Sequence, residues 1–275
     1  MPLRESATPN TPPEGPGILA AICREKGVTP SIIDLNAYRI KDEEAEDKGL
    51  LSGRHLTYKE AQDLFAQHIK NCGDEDIIAF SGKITTLRWQ EEMAKIVRRV
   101  QPDCFLVTGN GLATEIKSGL FKWIPELDAI GRSEGDDVIV SILHDAQKLK
   151  EGVSFYSLPS YIGTIEGKPR FCYEGNRPTD LDSIPYAALD LLETDPYGNN
   201  ILEQYIKVPV WGLAANNSSA ASFDMKRSLT TVSSRGCPYA CTFCYRGAQG
   251  ERNYGMRSPE HIAKQVRGYV DKYGL

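Results

Sequence analysis

The chain contains no apolar run long enough to cross a bilayer, which excludes a helical membrane span. It carries no secretory signal, and its seven cysteines are an odd number in a long chain. Both absences argue against a disulfide framework and for a reducing, cytoplasmic compartment. It also lacks an excess of positive charge. A net charge of −5 gives no electrostatic footprint for nucleic acid. Histidine is scarce, with only four (His55, His68, His144 and His261), and no internal repeat is visible. What remains is ordinary globular usage, 41% hydrophobic and 25% charged over 275 residues, enough for one or two domains.

Against that plain background, one segment stands out. Cys237-Pro238-Tyr239-Ala240-Cys241-Thr242-Phe243-Cys244 places three thiols within eight residues. A single loop can turn three such sulfurs onto one inorganic centre, leaving a four-iron cluster one protein ligand short and one iron open to a substrate or cofactor. A structural zinc site would need a fourth Cys or His, and the only nearby candidate is His261, inside a predicted helix. The other four cysteines, Cys23, Cys72, Cys104 and Cys172, are dispersed. Cys23 and Cys104 fall in apolar periodic segments and read as small core residues.

The surroundings predict a βα unit. Residues 228–234 are β-branched and strand-like, and Arg235-Gly236 breaks them into the cysteine loop. The loop therefore leaves the C-terminal end of a strand, where (β/α) barrels place their chemistry. Ser258 is placed to cap a following helix, Pro259 suits its first position and Glu260 favours the dipole. Ile262, Val266, Tyr269 and Val270 recur at helical spacing, and Gly274 is the stop. A local excess of basic residues here (Arg235, Arg246, Arg252, Arg257, Lys264, Arg267) serves anionic cofactor groups or solvent exposure.

The cysteine spacing and its context resemble the radical S-adenosylmethionine superfamily. The resemblance implies that Cys237, Cys241 and Cys244 hold a 4Fe-4S cluster and that the open iron chelates S-adenosylmethionine. Phe243 corresponds to the aromatic packed near its adenine, with ordinary loop packing as the alternative reading. It further implies an external electron donor, a small-molecule or other substrate, and a partial barrel of six βα units. Only the first unit is expected within 227–275, so the chain reads as a fragment of a longer enzyme or a truncated reading frame. A lone βα unit leaves apolar strand surface exposed unless it packs on the upstream domain or a partner.

Upstream, residues 1–150 alternate helix and strand. Helices are expected near 18–26, 57–71 and 89–100, strands at 31–35, 77–80, 104–108 and 128–131, and a surface loop at 41–48. This pattern predicts an α/β fold with a doubly wound parallel sheet, ligands lying beyond the strand C-termini. Ser81-Gly82, Gly109-Asn110-Gly111 and the segment from Gly131 through Glu134 to Gly135 gather there. Glycine at such ends permits close approach to a ligand, or else marks a tight strand-to-helix turn. The order of these elements, a Pro-Gly segment at 12–17, a strand ending in Asp34-Leu35-Asn36 and then the three turns, looks like the flavodoxin-like cobalamin-binding domain that precedes the radical S-adenosylmethionine domain in one subgroup. That implies Ser81, Gly82, Gly109, Gly111, Gly131 and Glu134 as cobalamin contacts. The Asp-x-His-x-x-Gly motif is missing, so no protein histidine is expected on cobalt. Residues 151–226 read as a connector, with a β-hairpin over 161–172, a strap over 176–185 and a flexible loop at 216–222.

The resemblance as a whole implies reductive cleavage of S-adenosylmethionine and radical chemistry. Methyl transfer is expected if cobalamin is present, with ring rearrangement or oxidation as the alternative. A non-catalytic corrinoid- or partner-binding module with a relic cluster loop is the second reading, and a zinc-binding domain the third.

Overall fold

The structure is a computed structural model that describes residues 11–40, 43–49, 54–73, 76–195, 198–206, 227–244 and 254–275. The flexible loop expected at 216–222 lies outside these residues. The chain divides into two compact units. The first gathers principally Ile22–Ile40 and His55–Arg177, and the second Leu3–Ala21, Lys41–Arg54 and Pro178–Leu275.

The first unit is built on a five-stranded, mostly parallel sheet. Helix α1 (Tyr58–Ile69) begins with a capping box, in which Thr57 Oγ1 accepts the Glu60 amide and the Glu60 carboxylate accepts the Thr57 amide. Then come β1 (Ile77–Ser81), α2 (Leu87–Val100), β2 (Phe105–Gly109), α3 (Asn110–Ile116), β3 (Ala129–Ser133) and α4 (Gly135–Lys150). A hairpin, β4 (Tyr161–Ile165) and β5 (Lys168–Gly175), completes the sheet. The strand order is β1-β2-β3-β5-β4; β1, β2, β3 and β5 run parallel, and β4 is antiparallel to β5. The expected hairpin turn is present, with both Glu166 and Gly167 at positive φ (+53° and +76°), the two-residue turn whose twist suits a hairpin.

Period-two alternation sends neighbouring side chains to opposite faces. Leu106 and Ile130 join a core with Ala61 and Phe65 of α1, Ala94 and Val97 of α2, and Leu112, Leu120 and Phe121 after β2. Val107 and Ala129 join a second core with Val138 and Ile142 of α4 and Phe171 and Tyr173 of β5. Helices thus cover both faces, as a parallel sheet requires.

Three expectations are corrected. Residues 31–35 form no strand. The Asn36 amide donates to Asp34 Oδ1 at 3.0 Å and the Ala37 amide to Asp34 O at 3.2 Å, so the chain turns, while Ile33 and Leu35 still pack on the main core. β1 is consequently an edge, and the described strands run in one direction from it rather than to both sides. The sheet does not stop at Gly131, because the hairpin adds two strands. Finally, the expected loop at 41–48 contains a short helix, Glu43–Asp47, supported by a Lys48–Glu44 ion pair at 2.9 Å.

The N-terminal ends of β2 and β3 are tied through Asp128. Its Oδ2 accepts the Leu106 amide at 2.7 Å and Arg98 Nη2 at 2.5 Å. The same arginine donates to Glu126 O and Cys104 O. Removing the carboxylate leaves that guanidinium and a strand amide short of an acceptor. Asp128→Ala should lower the unfolding free energy by about 2 kcal/mol, the range for a charge-assisted hydrogen bond, read from urea denaturation.

Candidate functional site

In the second unit, β6 (Ser234–Gly236) pairs antiparallel with β7 (Tyr254–Met256), with Ser234 opposite Met256 and Gly236 opposite Tyr254. The strand expected over 228–234 is therefore shorter and shifted. Arg235 and Gly236, read as loop breakers, are strand residues, and their ladder is antiparallel rather than barrel-like. The reason is that β7, whose strand character the sequence did not betray, supplies the hydrogen-bonding partner. The cysteine loop still leaves the C-terminal end of a strand. Gly236 sits at φ +88°, where a side chain would be strained, so the chain can turn sharply into Cys237. The Cys244 amide donates to Cys241 O at 3.1 Å, closing a turn around the Cys-x-x-Cys pair. None of the seven cysteines is in a disulfide. Phe243 is 91% exposed and Tyr239 70%, so neither ring is committed to a core.

Among the described residues, no three His, Cys, Asp or Glu side chains converge as a metal-ligating group. The structure puts Cys237, Cys241 and Cys244 on one loop without drawing their sulfurs to a common centre. The donor set itself suits an iron–sulfur centre, since three soft thiolates on one exposed loop are what such a cluster selects.

Downstream, helix α5 (Pro259–Tyr273) forms as expected: Ser258 accepts the His261 amide at 3.2 Å, Pro259 opens the helix, and Gly274 ends it in the left-handed conformation at φ +63°. One side of this helix is open. Ile262, Ala263, Val266 and Val270 line a groove of about 700 Å³ together with Met256 and Arg267.

The second constellation lies at the C-terminal edge of the parallel sheet. β1 and β2 finish level there, Ser81 opposite Gly109, while β3, whose Ile130 lies opposite Thr108, runs on with β5 to Ser133 opposite Gly175. The edge brings together Ser81, Gly82, Gly109, Gly111, Gly131 and Glu134. Sequence reasoning passed over three neighbours. Asn110 Nδ2 donates to Ser81 Oγ at 3.2 Å, and Thr114 Oγ1 donates to Asn110 O and accepts the Ser133 amide at 3.0 Å. Asn110 and Ser133 both hold positive φ, +74° and +63°. An asparagine between two glycines was the available signal for the first, and Ser133 falls within the 131–135 turn already singled out; nothing marked Thr114.

Packing explains several of the edge glycines. A Cβ on Gly82 would collide with the side chains of Gln90 and Thr86. One on Gly131 would come within 2.7 Å of Val138 Cγ1, and one on Gly175 would strike the Glu134 carbonyl. Gly109 has only an ordinary neighbour, Gly131 O at 3.7 Å, and Gly111 faces open space. Of the glycines assigned to a corrinoid, only Gly109 and Gly111 are left without a tight internal contact.

The dispersed cysteines behave as core. Cys23 and Cys104 are buried, and burial pushes the thiols of Cys23, Cys72, Cys104 and Cys172 up, that of Cys104 to about 11.

No family model matches the chain. Over 266 residues it is 25% identical to an uncharacterized methyltransferase of Pyrococcus horikoshii, the match covering 96% of this chain and 47% of that protein. It is 25% identical over 211 residues to the anaerobic magnesium-protoporphyrin IX monomethyl ester cyclase of Cereibacter sphaeroides, covering 73% of this chain and 29% of the cyclase. The cyclase of the same name from Rubrivivax gelatinosus is 23% identical over 201 residues, covering 73% and 32%. The chain thus spans about half the length, or less, of the curated relatives it matches. Each relative is named as an enzyme, so at a coarse level the chain is similar to enzymes of cyclase and methyltransferase type. No helix among the described residues is long and apolar enough to cross a membrane.

Two outcomes are expected. Gly131→Ala should cost about 1–3 kcal/mol by overpacking against Val138, whereas Gly111→Ala, inside α3, should leave stability unchanged or raise it by up to about 1 kcal/mol, both measured by urea denaturation. Alkylation of the native protein near neutral pH should label exposed Cys241 first and reach Cys104 only after unfolding, as peptide mapping by mass spectrometry can show.

Proposed function

We propose that this chain carries the cluster-binding segment of a radical S-adenosylmethionine enzyme, with Cys237, Cys241 and Cys244 as the three protein ligands of a 4Fe-4S cluster. The observation that carries the reading is three disulfide-free thiols on one loop that leaves a strand end at a left-handed glycine. The names of the relatives support it, because an anaerobic cyclase and a methyltransferase are the two kinds of outcome, ring chemistry and methyl transfer, that the resemblance implies. When bound, the cluster would supply the electron that breaks the carbon–sulfur bond of S-adenosylmethionine to give a 5′-deoxyadenosyl radical.

The chain's own residues have definable parts in this. The three thiolates hold iron and must each be deprotonated to do so. Phe243, its ring free, is available to cover the adenine of S-adenosylmethionine. β6, the loop and α5 are the first unit of a barrel in this reading. The five-stranded sheet is the cobalamin-binding type, flavodoxin-like in kind, that precedes it. At its edge Ser81, Gly109, Gly111 and Glu134 are the residues offered to a corrinoid, Gly82 and Gly131 being taken up by packing. With no histidine supplied from a strand-end loop, the corrinoid would bind without protein nitrogen on cobalt. A substrate and an external electron donor in the cytoplasm complete the proposal, and the specific reaction is methyl transfer where cobalamin is held.

Anaerobic reconstitution with iron and sulfide tests it. The expected result is about four irons per chain with visible charge-transfer absorption, lost on any single Cys→Ala change at 237, 241 or 244 but retained in Cys72→Ala. Reductant and S-adenosylmethionine should then yield 5′-deoxyadenosine. A full cluster without cleavage would favour the non-catalytic module; one zinc and no visible absorption would replace the reading with the zinc one.

A further inference from the structure

The strand from which the cysteine segment departs belongs to a short ladder. The β6–β7 ladder has three residue pairs, and an isolated two-stranded ribbon is marginal in water. The residue that extends it is Arg257. Its backbone amide donates to Ser233 O at 2.9 Å, carrying the pairing one step beyond Met256. Its side chain, only 6% exposed, then crosses to the 184–186 segment: Nη1 donates to Ile184 O at 3.0 Å and Nη2 to Pro185 O at 3.4 Å. The guanidinium lies 5.7 Å from the centre of the Tyr186 ring and Nη1 contacts His261 Nε2. The same segment is fastened to the start of α5, since the Ser258 amide donates to Asp182 Oδ1 at 2.9 Å and Tyr186 Oη to His261 O at 3.0 Å. A cavity of about 10 Å³, the size of a single water, adjoins the guanidinium between Ile184, Val232 and Ser234.

Burying a cation against carbonyls and a ring is a costly way to gain stability, and apolar residues of similar volume often do as well or better. What a guanidinium adds is a rigid fork that fixes two acceptors at once. We propose that Arg257 is the positioning residue of the cysteine segment: by clamping the end of β7 to Ile184 and Pro185 it holds the β6–β7 ladder in register, and with it Gly236, from which Cys237, Cys241 and Cys244 follow. Its functional meaning rests on the reading of those thiols as cluster ligands; the clamping of the ladder does not.

The test uses the full chain with Arg257→Met, which keeps the volume, and Arg257→Lys, which keeps the charge but not the fork. In metal-free protein, hydrogen exchange of the amides in Ser234–Gly236 and Tyr254–Met256 should be about tenfold faster in R257M, with β2 amides unchanged. After anaerobic reconstitution R257M should hold about half the iron of the parent or less, with an altered visible circular dichroism spectrum, and R257K should fall between. Parent-like exchange and parent-like iron in R257M would overturn the proposal. Should R257M lose protection in β2 as well, and so be misfolded, R257K decides, and parent-like exchange and iron there overturn it. A parent that takes up no iron, with a ladder that still loosens in R257M, would sink the cluster reading while leaving the clamp in place.

Discussion

The first unit depends on one constraint, that a parallel sheet has to be covered on both faces. Adjacent residues of the central strands divide between two cores, Leu106 and Ile130 to one, Val107 and Ala129 to the other. Helices packed on both sides then force every parallel strand to finish at the same edge, and that edge is where loops are short and backbone is close to side chains. The crowding at Gly82, Gly131 and Gly175 follows from this closeness. A glycine-rich strand end is therefore a result of packing first, and of Gly82, Gly109, Gly111, Gly131 and Gly175 only Gly109 and Gly111 have no tight internal contact.

In the second unit the governing problem is the opposite. The chemistry-bearing residues sit on a loop with almost no apolar cover, and exposed Phe243 and Tyr239 contribute nothing to a core. Order has to be brought in from the flanks: a left-handed glycine before Cys237, a turn joining Cys241 to Cys244, a short ladder behind them, and a buried arginine behind the ladder. Such an arrangement leaves Cys241 exposed and Cys237 and Cys244 partly so, while the ladder behind them stays in register. It also accounts for a loop whose sulfurs share a short stretch of chain without meeting at a point.

Much of the sheet was legible in advance. The strands at 77–80, 104–108 and 128–131 are short apolar runs between turn residues, and the capping signal of Ser258 is local chemistry that survives any tertiary context. The misreadings share a cause. Residues 31–35 have strand-like composition, yet Asp34 captures the Asn36 amide and turns the chain. Residues 228–232 have strand-like composition but no partner strand among the described residues, whereas Arg235 and Gly236 gain one. Strand formation is settled by a partner distant in sequence, which composition cannot supply.

For this protein, the sequence by itself determined the chemical inventory: seven thiols, three of them crowded at 237–244, no basic excess, no spanning run, and an α/β alternation. These are properties of composition and spacing, and folding does not alter them. Tertiary structure alone decided that the hairpin completes the main sheet, that Gly82 and Gly131 are held by their own neighbours, and that Arg257, one basic residue among many in the sequence, is buried against two carbonyls behind the cysteine loop. Each of those depends on which distant groups come within a few ångströms, and only the folded chain fixes such distances.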